Sequence, residues 1–198
     1  MTAERESDLS IRAVSRAAGT APQSFYLQFA SLDELLYALY AIEYGHLRQA
    51  MADAASTAPD PAARLAAVAR AYCDYAQANP VRYRILADVR GQAHPEWAAL
   101  PGTPAFTLIA DTAAQALASE HPGADPFLAA AMLWACLHGI ITLRADRPAF
   151  PWPPLADMID SLIRQILTTP PAAHENGPPA RPRAAHPEPP QASESAHG

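Results

Sequence analysis

Trp134 and His138 stand four residues apart in the run LWACLHGIITL, and so share one face of any helix that the run forms. An imidazole placed there can hydrogen-bond a ligand or report pH. A lone His on an apolar face is also the usual form of a core residue satisfied internally, and the spacing leaves both open. Tyr72, Tyr75, Tyr83, Phe106, Met132 and Trp134 supply aromatic and polarisable surface of the kind that lines an apolar pocket between helices, with most of it expected to be plain core. No catalytic residue is predicted. The chain lacks the paired Glu-x-x-His motifs of helical-bundle metalloenzymes, a Gly-rich phosphate loop and a nucleophile–base string. No CxxC or Cys/His spacing suggests a metal, and no cofactor is predicted.

The composition narrows the class further. Half of the 198 residues are apolar, enough for a sizeable core, and Ala dominates them, which favours close-packed helices. All fourteen basic residues are Arg, and the formal charge is −6. A net acidic chain argues against non-specific coating of nucleic acid, while a local patch can still bind DNA. Cys73 and Cys136 sit in apolar helical patterns, and both are expected to be buried, reduced thiols. The opening MTAERESD is polar and carries no signal-peptide pattern. The apolar stretch around 127–143 is interrupted by His138 and is short for a membrane span. The expected location is the cytoplasm, with no membrane partner.

These residues must be positioned by helices, since no stretch alternates with a period of two. Ser10 caps a short helix with Ile11, Val14 and Ala18 on one face, ending at Gly19. Pro22 opens a second, to about Gln28. Ser31 and Glu34 form a capping box at the head of a long helix reaching about Ala55, with an apolar stripe of Leu35, Leu36, Leu39, Ile42 and Leu47. Asp60-Pro61 starts a helix bearing Leu65, Val68, Tyr72 and Tyr75 that stops before Pro80. A shorter helix carries Tyr83, Ile85 and Leu86, and residues 91–104 read as a loop. Thr103-Pro104 and Asp125-Pro126 restart helices to about Glu120 and Asp146, and the last helix runs over about 155–168. From Thr169 the chain holds eight of its 21 prolines and no Val, Ile, Leu or aromatic residue, the composition of a disordered tail.

Two short helices joined by a Gly-containing turn make a helix-turn-helix, whose second helix can face the major groove. The string LSIRAVSRAAGTAPQSFYLQFASLDELLYAL resembles the signature of TetR/AcrR-family transcriptional regulators, with Leu9, Ser10, Val14, Ala18, Gly19, Phe25, Tyr26, Phe29, Ser31 and Leu35 in register. The resemblance implies a recognition helix from Ala21 to Gln28, with Thr20, Ala21, Gln23, Ser24 and Gln28 toward DNA. It also implies phosphate contacts from the Tyr26 hydroxyl and from Ser10 at a helix N-terminus, beside the cations Arg12 and Arg16. Phe25 and Phe29 are expected in the core. Ala21 stands where the family has a capping Ser, and Leu32 where it has a Lys. Residues 1–46 carry three Arg against six acidic residues. The family also places a helix before the helix-turn-helix, whereas only nine residues precede Ser10. Ile11, Val14 and Phe25 are therefore expected to be partly wet, at about 1.5–3 kcal/mol of lost burial each. The expectation is a native start upstream of Met1; the other reading is a degenerate head.

The body resembles the C-terminal domain named for its Trp-His-Gly signature, matched by Trp134, His138 and Gly139, with Gly139 expected to permit close helix packing. The expected fold is all-α: a helix-turn-helix head (1–46), a long connecting helix, a helical ligand-binding and dimerisation body (47–168) and a tail (169–198). The implied function is a DNA-binding regulator, a repressor relieved by a small apolar effector. Tyr72, Tyr75, Tyr83, Phe106, Met132, Trp134 and His138 are the candidate ligand contacts. Its partners would be a double-stranded operator and a second copy, joined through helices about 126–146 and 155–168. The rival is a DNA-silent ligand-binding or dimerisation protein derived from such a regulator.

Overall fold

Four helices begin where a side chain can take up their orphan amides. In the computed structural model, which describes residues 10–87, 100–118 and 121–171, Ser10 accepts from the amide of Ala13 at the start of α1 (Ile11–Ala17). Ser31 accepts from the amide of Glu34 at the start of α3 (Leu32–Ser56). The Glu34 carboxylate completes the box from one residue further back, on the amide of Ala30. Asp60 caps α4 (Pro61–Ala78) and Asp125 caps α7 (Pro126–Asp146). Pro, whose fixed φ suits a first turn, opens α2 (Pro22–Tyr26) and α5 (Pro80–Ala87) and sits second in α6 (Thr103–Leu117). The last helix is α8 (Leu155–Thr168). Among the described residues there are eight helices and no strand. Most of the 91–104 loop, the segment before Ser10 and the tail from 172 lie outside the described residues.

The core is built around α4. Leu65, Val68, Ala69, Tyr72, Cys73 and Ala76 are all buried on it, and α3, α5, α6, α7 and α8 all pack against it. The small residues Ala69, Cys73 and Ala76 let those neighbours approach closely. Met51 and Leu47 reach it from α3, Phe106, Ile109 and Ala113 from α6, Leu133 and Leu137 from α7, and Ile159, Ile163 and Ile166 from α8. An Arg70–Asp160 ion pair ties α4 to α8 at the surface, where such pairs contribute little.

Two sequence expectations are corrected here. The buried face of α3 is Tyr40, Glu43, Leu47, Met51 and Ala55, while Leu39 and Ile42 are exposed and Leu35 and Leu36 half-buried. Leu39 and Ile42 lie on the solvent side of α3, while their sequence neighbours Tyr40 and Glu43 turn inward. Cys136 is exposed whereas Cys73 is buried, because α7 turns Leu133 and Leu137 inward and leaves Cys136 on its outer side.

α7 is long and apolar enough to cross a membrane by length and composition alone. Its apolar residues are divided between two faces. Ala129, Ala130, Leu133, Leu137 and Ile141 are buried in the body, and Met132, Cys136 and Leu143 face outward. The loop after it is pinned to the helix end: Arg144 donates to the carbonyl of Pro153 (2.8 Å) and Trp152 Nε1 to that of Arg147 (2.9 Å).

Leu133→Ala is expected to cost about 2–5 kcal/mol in urea unfolding, as a buried Leu truncation does. Ile42→Ala, at a position 53% exposed, should stay within about 0.5 kcal/mol of the parent. Equal losses would refute the face assigned to α3.

Candidate DNA-binding head and ligand cavity

The head turns on Gly19. Its φ of +65° is a left-handed conformation that suits a residue without Cβ, and it reverses the chain between α1 and α2. Beneath the turn, Ser15 and Phe25 are buried and the Phe25 ring packs 5.6 Å from that of Phe29, which is half-buried. Phe25 is 7% exposed, against the partly wet ring expected, while Ile11 and Val14 are half-buried. Tyr26 meets Phe25 edge-on and leaves 59% of its surface exposed. Ser10, Arg12, Arg16, Thr20, Ala21, Gln23, Ser24 and Gln28 are exposed as well. Between Ser10 and Phe29 there are two Arg and no acidic residue, so the head's net negative count comes from outside the helix-turn-helix itself. Ala21 offers no side-chain cap, and α2 has five residues.

The body contains a cavity of about 120 Å³ between α3, α4, α6 and α7. Tyr40, Tyr44, Leu47 and Met51 line it from α3, Tyr72 from α4, and Phe106, Ile109 and Trp134 from α6 and α7, with residues 100–103 at one side. Gly102 permits a close approach there, since a Cβ on it would stand 3.0 Å from Cζ of Tyr44. Phe106 stacks edge-on to both Phe127 and Trp134, at 5.1 and 5.8 Å.

Of the seven candidate ligand contacts, Tyr72, Phe106 and Trp134 line this cavity. Tyr83 and His138 lie behind Tyr72: the Tyr72 and Tyr83 hydroxyls are 2.8 Å apart, and the Tyr83 hydroxyl is 2.8 Å from His138 Nδ1. Tyr75 and Met132 are elsewhere. The Tyr75 hydroxyl donates to the buried Glu43 (2.8 Å), which also faces His46 and Arg82. Met132 points outward from α7, 48% exposed. Sequence spacing missed Tyr40, Tyr44 and Met51, although the steps of four, three and four through Leu47 were a usable signal. Glu43 and His46 form a Glu-x-x-His step on α3. No group of three or more His, Cys, Asp or Glu is placed to hold a metal among the described residues.

Burial sets the protonation of the relay. It pushes the Tyr72 hydroxyl far above the ordinary tyrosine value and that of Tyr83 up to about 12, and it holds the His138 imidazole below its ordinary value. Tyr75 rises to about 12 through burial and its bond to Glu43. These shifts favour the uncharged form of each member, and uncharged members can form hydrogen bonds to one another.

Residues 65–169, from α4 to the end of α8, match the family described as the tetracyclin repressor-like C-terminal domain. The chain belongs to the TetR family of transcriptional regulators. Solved structures extend the likeness to about four-fifths of the chain. A protein of unknown function from Rhodococcus sp. RHA1 is 28% identical, with 79% of this chain and 84% of that one covered at a TM-score of 0.62. A candidate regulatory protein, SCO4313, is 20% identical over 80% and 85% (TM-score 0.61). The TetR family transcriptional regulator PfmR from Thermus thermophilus is 18% identical over 80% and 87% (TM-score 0.59). The last two share the fold. No curated protein matches the chain. The all-helical order expected of a TetR-family chain, with two short helices, a long third helix and a helical body, is the order observed.

The lowered His138 value has a stability consequence. Because the folded chain favours neutral His138, its contribution is complete above the ordinary histidine value near 6.5 and is lost as pH falls through that value toward the folded one. Between pH 6.5 and 5, His138→Phe should therefore show a smaller loss of unfolding free energy than the parent. An identical slope would remove His138 from the relay's energetics.

Proposed function

We propose that this TetR-family chain is a non-enzymatic, dimeric cytoplasmic repressor that binds an operator in double-stranded DNA and is released by a small, largely apolar effector. The observation that carries the reading is the continuity of α3. This one helix is capped by Ser31 beside the helix-turn-helix and supplies Tyr40, Tyr44, Leu47 and Met51 to the cavity 9–20 residues later. A ligand that fits the cavity better in one tilt of α3 shifts the population of head positions by its differential affinity. In this reading residues 1–46 serve as head and 47–168 as regulatory and dimerisation body.

On the head, Ser10, Arg12, Arg16 and Tyr26 contact phosphates, and Thr20, Ala21, Gln23, Ser24 and Gln28 present the face toward the groove. Their common exposure over buried Ser15 and Phe25 supports that assignment. For dimerisation the support is the outer stripe of α7, with Met132, Cys136 and Leu143 (51% exposed) spaced by helical steps. A Cβ added at Gly139, on the same stripe, meets nothing within 4 Å in one chain. That open space beside the glycine supports close approach of a second copy there. A two-fold pair sets its heads on half-sites about 34 Å apart or a multiple of that spacing. The rival reading, a DNA-silent binding protein, draws on the five-residue α2 and on Ala21 at its uncapped start.

Selection of binding sites from random duplex DNA with the full chain should return an inverted repeat; no enrichment would favour the DNA-silent rival. On the selected site Tyr26→Phe should weaken binding about tenfold, the worth of one hydrogen bond to a charged oxygen, with an unchanged melting temperature. A large loss of stability with unchanged binding would sink the phosphate role. Met132→Glu should convert the dimer to a folded monomer in sedimentation, and a dimer that survives it would move the interface elsewhere.

A further inference from the structure

The cavity lining is mainly apolar, with three tyrosines and Thr103 among it, and the Tyr72 hydroxyl belongs to a buried chain of donors and acceptors. A tyrosine hydroxyl has one proton and two lone pairs. Two senses of the chain are then possible. In one, Tyr72 gives its proton to Tyr83 and Tyr83 gives its own to His138 Nδ1, so both buried protons have partners. In the other, His138 donates to Tyr83 and Tyr83 to Tyr72, and the Tyr72 proton is left without a partner in the relay. Leaving a buried donor unpaired costs more than a bond gains, so the first sense is favoured. The His138 ring is half-buried, which leaves its Nε2–H a route to water. Around the relay stand Tyr72 and Cys73 from α4, Tyr83 from α5 and Tyr44 from α3, and burial is the cause of the His138 shift.

In that sense Tyr72 has spent its proton and keeps a lone pair, so it meets a ligand as an acceptor. The cavity, at about 120 Å³, is close to the ~150 Å³ known to hold a benzene ring. We propose that the cavity selects a ring-sized apolar molecule bearing one hydroxyl group, whose O–H donates to the Tyr72 oxygen while its ring lies among Leu47, Met51, Phe106 and Ile109. This rests on the effector reading above and adds a chemical class to it. Tyr83 and His138 act as positioning residues: they touch no ligand and fix which way the Tyr72 proton points.

The test is titration calorimetry on the full chain with three probes of one shape: 4-methylphenol, which donates, and 4-methylanisole and 4-methylbenzaldehyde, which only accept. The phenol should bind about tenfold more tightly than either. Tyr72→Phe should abolish that preference by weakening the phenol alone. Tyr83→Phe removes the onward acceptor and frees the Tyr72 proton, so the aldehyde should gain on the phenol, a shift that a merely structural loss would not produce. Equal affinities in the parent, or a preference that survives both substitutions, would overturn the hydroxyl assignment and leave an apolar cavity. Binding by none of the three would overturn the assignment and the ring-sized effector reading together.

Discussion

The packing of α4 against five other helices is the constraint from which the rest of the molecule follows. Arg70, Asp74 and Gln77 keep a solvent edge, while α3, α5, α6, α7 and α8 close over the face that carries Leu65, Val68, Ala69, Tyr72, Cys73 and Ala76. Any hydroxyl on it must find a partner inside the protein, because an unpaired one costs more than a bond gains. Tyr72 is such a group, and its needs are met from two other helices through Tyr83 and His138. Tyr75, one turn further on, is met by Glu43 from α3. The same steric demand that closes the core around α4 therefore also creates its two polar junctions.

Those junctions join the elements that a regulator must couple. Glu43 lies on the cavity-lining stretch of α3, and it is held by Tyr75 on α4 and approached by Arg82 on α5. Tyr40 and Tyr44, on either side of Glu43 in sequence, line the cavity. A tilt of α3 would have to break or re-form contacts on both sides at once, which favours two discrete arrangements over a continuum. The head itself packs through its own small cluster around Phe25, separate from the main core, so it can follow α3 as a unit.

The outer face of α7 shows the converse of burial. Apolar groups at Met132, Cys136 and Leu143 remain exposed although the body already has a complete core. A patch of this kind on a folded chain marks a contact surface, and it explains how a helix apolar enough to resemble a membrane span can be one wall of a body. Its apolarity is divided between a buried side and an exposed one.

The sequence by itself determined the helices, because their boundaries rest on local chemistry: Ser10, Ser31, Asp60 and Asp125 cap neighbours two to three residues away, and Gly19 reverses its own turn. The family likeness was legible for the same reason, since its head signature is a short continuous string. Tertiary structure alone decided which stripe of a helix counted. α3 carries apolar residues on two faces, and only the position of α4 selects Tyr40, Leu47 and Met51 over Leu39 and Ile42. Likewise Met132 and Trp134 are two residues apart and chemically alike as pocket candidates, yet the rotation of α7 sends one outward and the other to the cavity. The relay of Tyr72, Tyr83 and His138 spans 66 positions in the chain and arises where three helices converge. No local spacing encodes a distance between side chains on different helices, and that distance is what makes a hydroxyl a partner rather than a liability.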